Sequence, residues 1–144
     1  MAVQMVFPNF AVNDLEIATN FYESLGFQRN PLYSDGTNAN AVVLSEGVGV
    51  MLLTKDYFAG FFDDGTTITT EHREGTLAML LESIDEVDAM LSKVEAAGGT
   101  IDSRPKEDDF MYQARFRDPD GHILEIFFME PFTEADVEQS QPAS

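Results

Sequence analysis

One order of elements occurs twice in this chain, and that repeat limits the fold before any single motif does. In the first half an extended apolar stretch at 3–12 leads to Asn13, with Glu16 three positions on, an Asn-x-x-Glu variant of the capping box that predicts a helix start. Leu15, Ala18, Phe21, Tyr22 and Leu25 then recur at helical spacing, and Gly26 stops the helix. Strands are expected at 27–33, 40–44 and 48–54, the last two joined by the turn Ser45-Glu46-Gly47. The second half repeats the plan. An apolar strand at 77–82 runs into Ser83, a helix cap with Glu86 three residues later, and Val87, Met90, Leu91 and Val94 form the stripe. Gly98-Gly99 ends that helix, and strands at 100–104, 112–117 and 122–129 follow. The expected fold is α+β: two βαβββ modules in one chain, forming a curved, partly closed mixed sheet with helices outside.

With 144 residues the two modules make one domain at 1–132, with module one at 1–54, a linker at 55–75 and module two at 76–132. The linker, KDYFAGFFDDGTTITTEHREG, is long for a plain connection and opens with Tyr57, Phe58, Phe61 and Phe62. Loops of that length are often functional, so these aromatics are candidates for a lid over a binding site, or for an apolar patch covered by a second subunit. Residues 133–144 read as a frayed polar tail.

The most informative short stretch is F-R-D-P-D-G-H-I-L-E-I-F-F at 116–128. Pro119, Asp120 and Gly121 suit a type I turn closed by a left-handed glycine, which sets the register of the last hairpin. Asp118 then faces His122, Arg117 faces Ile123, Arg115 faces Glu125 and Gln113 faces Phe127. Tyr112, Ala114 and Phe116 share the other side with Leu124, Ile126 and Phe128, and that uniformly apolar set belongs under the helices. Glu125 therefore lies on the face away from them. A carboxylate in apolar company must be paired, protonated or bound to something. Three readings stay open: an ion pair with Arg115, a lone general base with a raised pKa, or a carboxylate that orients a cationic or hydroxylated ligand. By the same parity His122 points away from Glu125 and is expected to brace the turn.

Charge excludes some partners. Twenty-six acidic residues against eight basic give a net charge of −18, which argues against nucleic acid and against anionic membrane surfaces. It suits solubility first, and would steer a cationic ligand towards the protein. No stretch is long and apolar enough to span a bilayer, no signal peptide is visible, and the expected location is cytoplasmic. The absence of cysteine removes disulfides, thiolate metal sites and a cysteine nucleophile.

Phe10-Ala11-Val12-Asn13-Asp14-Leu15, Phe21-Tyr22 with Leu25-Gly26-Phe27, Ala96-Ala97-Gly98-Gly99 and Asp118-Pro119-Asp120-Gly121-His122 resemble the vicinal oxygen chelate superfamily. That group includes glyoxalase I, fosfomycin-resistance transferases, extradiol dioxygenases and bleomycin-resistance proteins. The likeness runs from Val6 to Met129. It is strongest to small glyoxalase-like bacterial proteins that carry Phe110-Met111-Tyr112 before the last hairpin. The resemblance implies a cavity between the modules, a homodimer, and a divalent metal held by the first and fourth strands of each module. Those positions fall here at Phe7, Met51, Thr76 (or Leu77 after a one-residue slip) and Glu125. Glu125 alone keeps a ligand-type side chain, and a catalytic zinc needs about three protein ligands. His72 in the linker is a weaker candidate for a missing ligand near Thr76.

The expected cavity is lined by Phe7, Asn9, Met51, Leu53 and Phe127, with Asn9, Gln113, Arg115 and Glu125 as polar handles. The leading expectation is a protein of the glyoxalase and bleomycin-resistance type that binds a small organic molecule, a cation being one candidate, without the usual metal and without a cofactor. The alternative is a lyase, isomerase or dioxygenase-like enzyme with a divalent metal held partly by Glu125. A third reading is a dimeric interaction protein whose cavity is filled by its own side chains.

Overall fold

A computed structural model of the protein describes residues 2–106, 110–130 and 134–140. Strand β1 (Asn9–Val12), helix α1 (Leu15–Ser24) and strands β2 (Gln28–Asn30), β3 (Ala39–Ser45) and β4 (Val48–Thr54) form module one. Strand β5 (Leu77–Leu80), helix α3 (Ile84–Ala96) and strands β6 (Thr100–Ser103), β7 (Tyr112–Arg117) and β8 (Ile123–Phe128) form module two. Each module is a four-stranded mixed sheet, in the orders β1-β4-β3-β2 and β5-β8-β7-β6. The first and last strands of each module run parallel and the other pairs antiparallel, so the sequence repeat is a repeat of topology. Neither sheet closes on itself. Helix α2 (Lys55–Ala59) opens the linker, and α4 (Glu134–Ser140) lies in the polar segment near the C-terminus. The boundary expected at 132 lies outside the described residues. No helix among those described is long and apolar enough to cross a membrane.

One core joins the modules. The face of the last hairpin predicted to lie under the helices does so through Ala114, Phe116, Leu124 and Ile126, which are buried together with Val12, Val42, Val50 and Leu52 of the first sheet and with Phe21, Tyr22, Val87, Leu91 and Val94. The Phe21 ring lies 6.4 Å from that of Phe116, across the module boundary. Gly99 marks the tightest point of that seam. A Cβ there would meet Val94 Cγ1 at 2.7 Å, Phe21 Cε2 at 2.8 Å and the Arg117 carbonyl at 2.9 Å.

Several boundaries differ from the sequence reading for local reasons. Asp14, not Asn13, caps α1, its side chain accepting from the Ile17 amide. The backbone N–H of Asn13, one residue before the cap, donates to Asp120 Oδ1 at 2.7 Å. Ser83 caps α3 as expected, accepting from the Glu86 amide. β2 stops at Asn30 because Pro31 lacks the N–H a strand needs, and Pro31–Tyr33 form a 3₁₀ turn whose Leu32 amide is taken by the Asn30 side chain. β5 and β6 end earlier than expected, at Leu80 and Ser103.

Candidate functional site

On the first sheet, the residues that point away from the helices are Asn9 and Ala11 on β1, Met51 and Leu53 on β4, and Ala39 and Ala41 on β3, aligned by the strand register. Small side chains and Gly49 leave this face shallow, and bulkier groups settle on it from outside. Phe7 is one of them. Its ring packs 5.1 Å from Tyr33 and lies where a Cβ on Gly49 would stand, 2.9 Å from Cε1. Beyond the pair opens a cavity of about 340 Å³ lined by Asn9, Met51 and Leu53 together with Tyr33, Asp35, Tyr57 and Phe61. Three of the expected cavity residues and two of the expected lid aromatics therefore meet. Phe7, also expected to line a cavity, forms the packed margin.

Helix α2 delivers the lid residues because Thr54, the last residue of β4, accepts from the Tyr57 amide and turns the chain directly into a helix. Tyr57 and Phe61, four apart, meet edge to face at 5.4 Å. The four aromatics form one ring cluster, with Phe58 5.7 Å from Phe61, but they border different cavities. Phe58 lines a different cavity, and Phe62 stacks edge-on against it at 5.3 Å.

Asp35 is a member of the site that sequence reasoning missed. Its Oδ1 accepts from the amides of Thr37, Asn38 and Ala39 at 2.8, 2.7 and 3.0 Å. Those amides, Ala39 first, hold its carboxyl below the usual carboxylate range, so it stays ionised at the rim. The only signal in the sequence was an Asp-Gly turn preceding a strand, which is too common to single out.

The second sheet presents a different face. Arg115 and Glu125 stand opposite each other as the turn register predicted, and Arg115 Nε and Nη2 donate to Glu125 Oε1 at 3.0 and 2.8 Å. Arg117 Nε meets Asp102 Oδ2 at 2.8 Å. Gln113 lies opposite Phe127 and Ala78 beside Glu125. None of Gln113, Arg115, Glu125 and Phe127 lines either cavity described here.

The turn that fixes this register also ties the modules together. Asp118 Oδ1 accepts from the amides of Asp120 and His122, both at 2.9 Å, and Gly121 takes the left-handed conformation with φ at 86°. Asp118 Oδ2 accepts from the Tyr22 hydroxyl at 2.8 Å, and Asp120 from the Asn13 amide. Burial raises the Asp118 pKa, while the nearby His122 and the Tyr22 hydrogen bond pull it down. Burial, and then the Asp118 charge, push the Tyr22 phenol well above its ordinary value, so Tyr22 remains a neutral donor. His122 braces more than its own turn. Its Nε2 lies 2.7 Å from the Ala11 carbonyl and its ring stacks on Phe10 at 4.6 Å, both in module one. A carbonyl only accepts, so Nε2 carries the proton.

The four positions that would hold a metal do not form a donor set. Phe7 and Met51 offer no hard ligand, Leu77 none at all, and Glu125 is engaged by Arg115. No group of three or more histidine, aspartate or glutamate side chains able to hold a metal ion occurs among the described residues. His72 and Thr76 do border one cavity together, but with no acidic or histidine cluster of that size around them.

Residues 4–126 match the family model for the Glyoxalase/Bleomycin resistance protein/Dioxygenase superfamily. Among solved structures, hypothetical protein SA1046 from S. aureus is 28% identical, with a TM-score of 0.74 over 89% of this chain and 94% of its own. A glyoxalase-related enzyme from Fulvimarina pelagi is 24% identical, with a TM-score of 0.71 over 87% of each chain. A lactoylglutathione lyase from Agrobacterium tumefaciens is 16% identical, with a TM-score of 0.62 over 86% of this chain and 92% of its own. At the last two identities the likeness is one of fold. No curated protein matches the chain in sequence.

Proposed function

The chain belongs to the glyoxalase/bleomycin resistance protein/dioxygenase superfamily, and we propose that within it this protein binds a small organic cation, without the metal, in the cavity on the free face of its first sheet. The observation that carries the reading is that Tyr33, Tyr57 and Phe61 line one cavity with an ionised Asp35 and with Asn9, Met51 and Leu53. Aromatic faces and a carboxylate are what a quaternary or protonated amine with an apolar body requires. The net charge of −18 adds a field that draws such a ligand in. In this reading the carboxylate handle is Asp35, and Glu125 with Arg115 is a structural pair. The protein works as a homodimer in the cytoplasm, and Leu32, 86% exposed at the rim of the cavity, is the kind of side chain a second copy would cover.

The test is calorimetric titration with benzyltrimethylammonium. Saturable binding is expected without added metal, weakened about tenfold (about 1.4 kcal/mol) by Asp35→Asn and by Tyr57→Ala. Asparagine keeps the oxygen that holds the loop amides, so loss of affinity would report charge and not unfolding. No binding, or binding that both variants leave unchanged, overturns the proposal. Chelator treatment that abolished binding would move the assignment to the metal-dependent enzymes.

A further inference from the structure

The second cavity, also about 340 Å³, lies where β1, the linker and the start of β8 meet. Its volume falls within the range of about 300–1,000 Å³ common for small-molecule sites. Its walls are unusual for this molecule. The chain has 26 acidic residues, eight basic residues and two histidines. Both histidines, His72 and His122, and one of the arginines, Arg73, border this one cavity, with Glu74 the lone carboxylate among its walls. The turn carboxylates nearest to His122 are already hydrogen-bonded, Asp118 to the Tyr22 hydroxyl and the His122 amide and Asp120 to the Asn13 amide, and neither lines the cavity. The remaining walls include Phe58, Leu77 and Ile123.

The donors are held, not merely nearby. Arg73 Nη1 donates to the carbonyls of Thr70 and His72, which anchors the guanidinium to the linker. Its Nη2 reaches over the turn, 2.7 Å from where a Cβ on Gly121 would stand, at a glycine that the turn's φ of 86° already favours. No acceptor for Arg73 Nη2 or Nε occurs among the described residues, and a planar guanidinium edge is suited to a carboxylate. His122 is a fixed wall, its ring held between Phe10 and the Ala11 carbonyl.

We infer that this seam is a second ligand site, which takes a small carboxylate with an apolar or aromatic body. Arg73 meets the carboxylate with help from His72, and the body lies against Phe58, Leu77 and Ile123. The site does not depend on the reading of the first cavity, and its ligand has the opposite charge. Helix α2 borders both, with Tyr57 on one and Phe58 on the other.

With only two histidines in the chain, their ring Cε1–H resonances are direct probes, assigned through His72→Gln. The probe ligand is benzoate at constant pH and ionic strength. Both resonances are expected to move saturably with one common dissociation constant. Arg73→Gln should weaken binding at least tenfold with an unchanged circular dichroism spectrum. Arg73→Lys, which keeps the charge but loses the planar edge and the clamp on the linker carbonyls, should bind more weakly than wild type and more tightly than Arg73→Gln. Benzyltrimethylammonium at the same concentrations should leave both resonances in place. The inference is overturned if benzoate moves neither resonance, or if Arg73→Gln binds as wild type does. It is equally overturned if Arg73→Lys loses as much affinity as Arg73→Gln, or if the cation moves the resonances as benzoate does.

Discussion

The two sheets share strand order and parallel pairing, yet their free faces have diverged. The first is built from alanines, Gly49 and Leu53, and is covered by rings that arrive from outside the sheet: Phe7, Tyr33, Tyr57 and Phe61. The second is a ladder of polar side chains that satisfy one another across strands, Arg115 with Glu125 and Arg117 with Asp102. A face whose polar groups are already paired has little left for a ligand. A face of small residues with mobile-length aromatics above it retains volume and open edges. The repeat sets the frame, and the side chains on the face away from the helices decide which half can bind.

Glycine substitutions break that comparison most sharply. Gly99→Ala is expected to cost about 1–3 kcal/mol, because the new methyl meets the Arg117 backbone as well as Val94 and Phe21 in the core that joins the modules. Gly49→Ala on the free face meets the Phe7 ring, a half-buried side chain that can swing aside, and only more loosely the Val42 carbonyl, at 3.3 Å. Its cost should be less than half as large, offset in part by the gain of about 0.5–1 kcal/mol from replacing a strand glycine. Urea denaturation of both variants measures the difference. Equal losses would mean that Phe7 is as rigidly packed as the shared core, and that the first face is filled and not open.

Much of this architecture was legible from local chemistry. The register that pairs Arg115 with Glu125 followed from Pro119, Asp120 and Gly121 alone, since a three-residue loop leaves one alignment of the flanking strands. The Ser83 cap and both buried helix stripes were equally local. What could not be read depended on partners far along the chain. Asn13 looks like a cap, but Asp14 takes the capping role, and the backbone N–H of Asn13 is tied to Asp120, 107 residues away. Phe7 looks like a cavity wall until the register puts Gly49 beneath it. Asp35 gains its place only when β3 folds back beside Tyr33. The expected site residues were therefore divided between two faces that strand parity, applied within each module, could not separate. Burial of Asp118 is of the same kind, because Tyr22 comes from the other module.

That burial gives the second prediction. With the folded-state pKa of Asp118 raised above its unfolded value of about 3.9, its contribution to stability is full below that value and is lost as pH rises through the folded pKa. Asp118→Asn removes this group's titration and leaves the other carboxylates in place. The stability of wild type relative to the variant should fall as pH rises from about 4 and then level off, a smaller effect than the Gly99 clash. A relative stability that stays constant across that range would show that hydrogen bonds from Tyr22 and the turn amides cancel the burial penalty.

The ion pair on the second sheet should matter least. Glu125 is largely covered, with 19% of its side chain exposed, but Arg115 is 44% exposed, so solvent screens the pair. Arg115→Ala is expected to lower stability by no more than about 1 kcal/mol, and Glu125→Gln to leave the fold and benzyltrimethylammonium binding unchanged. The double variant tells pairing from desolvation. If the two side chains act only on each other, losing both should cost no more than losing Arg115 alone, because the single variant leaves the half-buried carboxylate without its partner. If Glu125→Gln instead abolished cation binding while Asp35→Asn did not, the contrast between the sheets would reverse, and the second free face would be the one that meets the ligand.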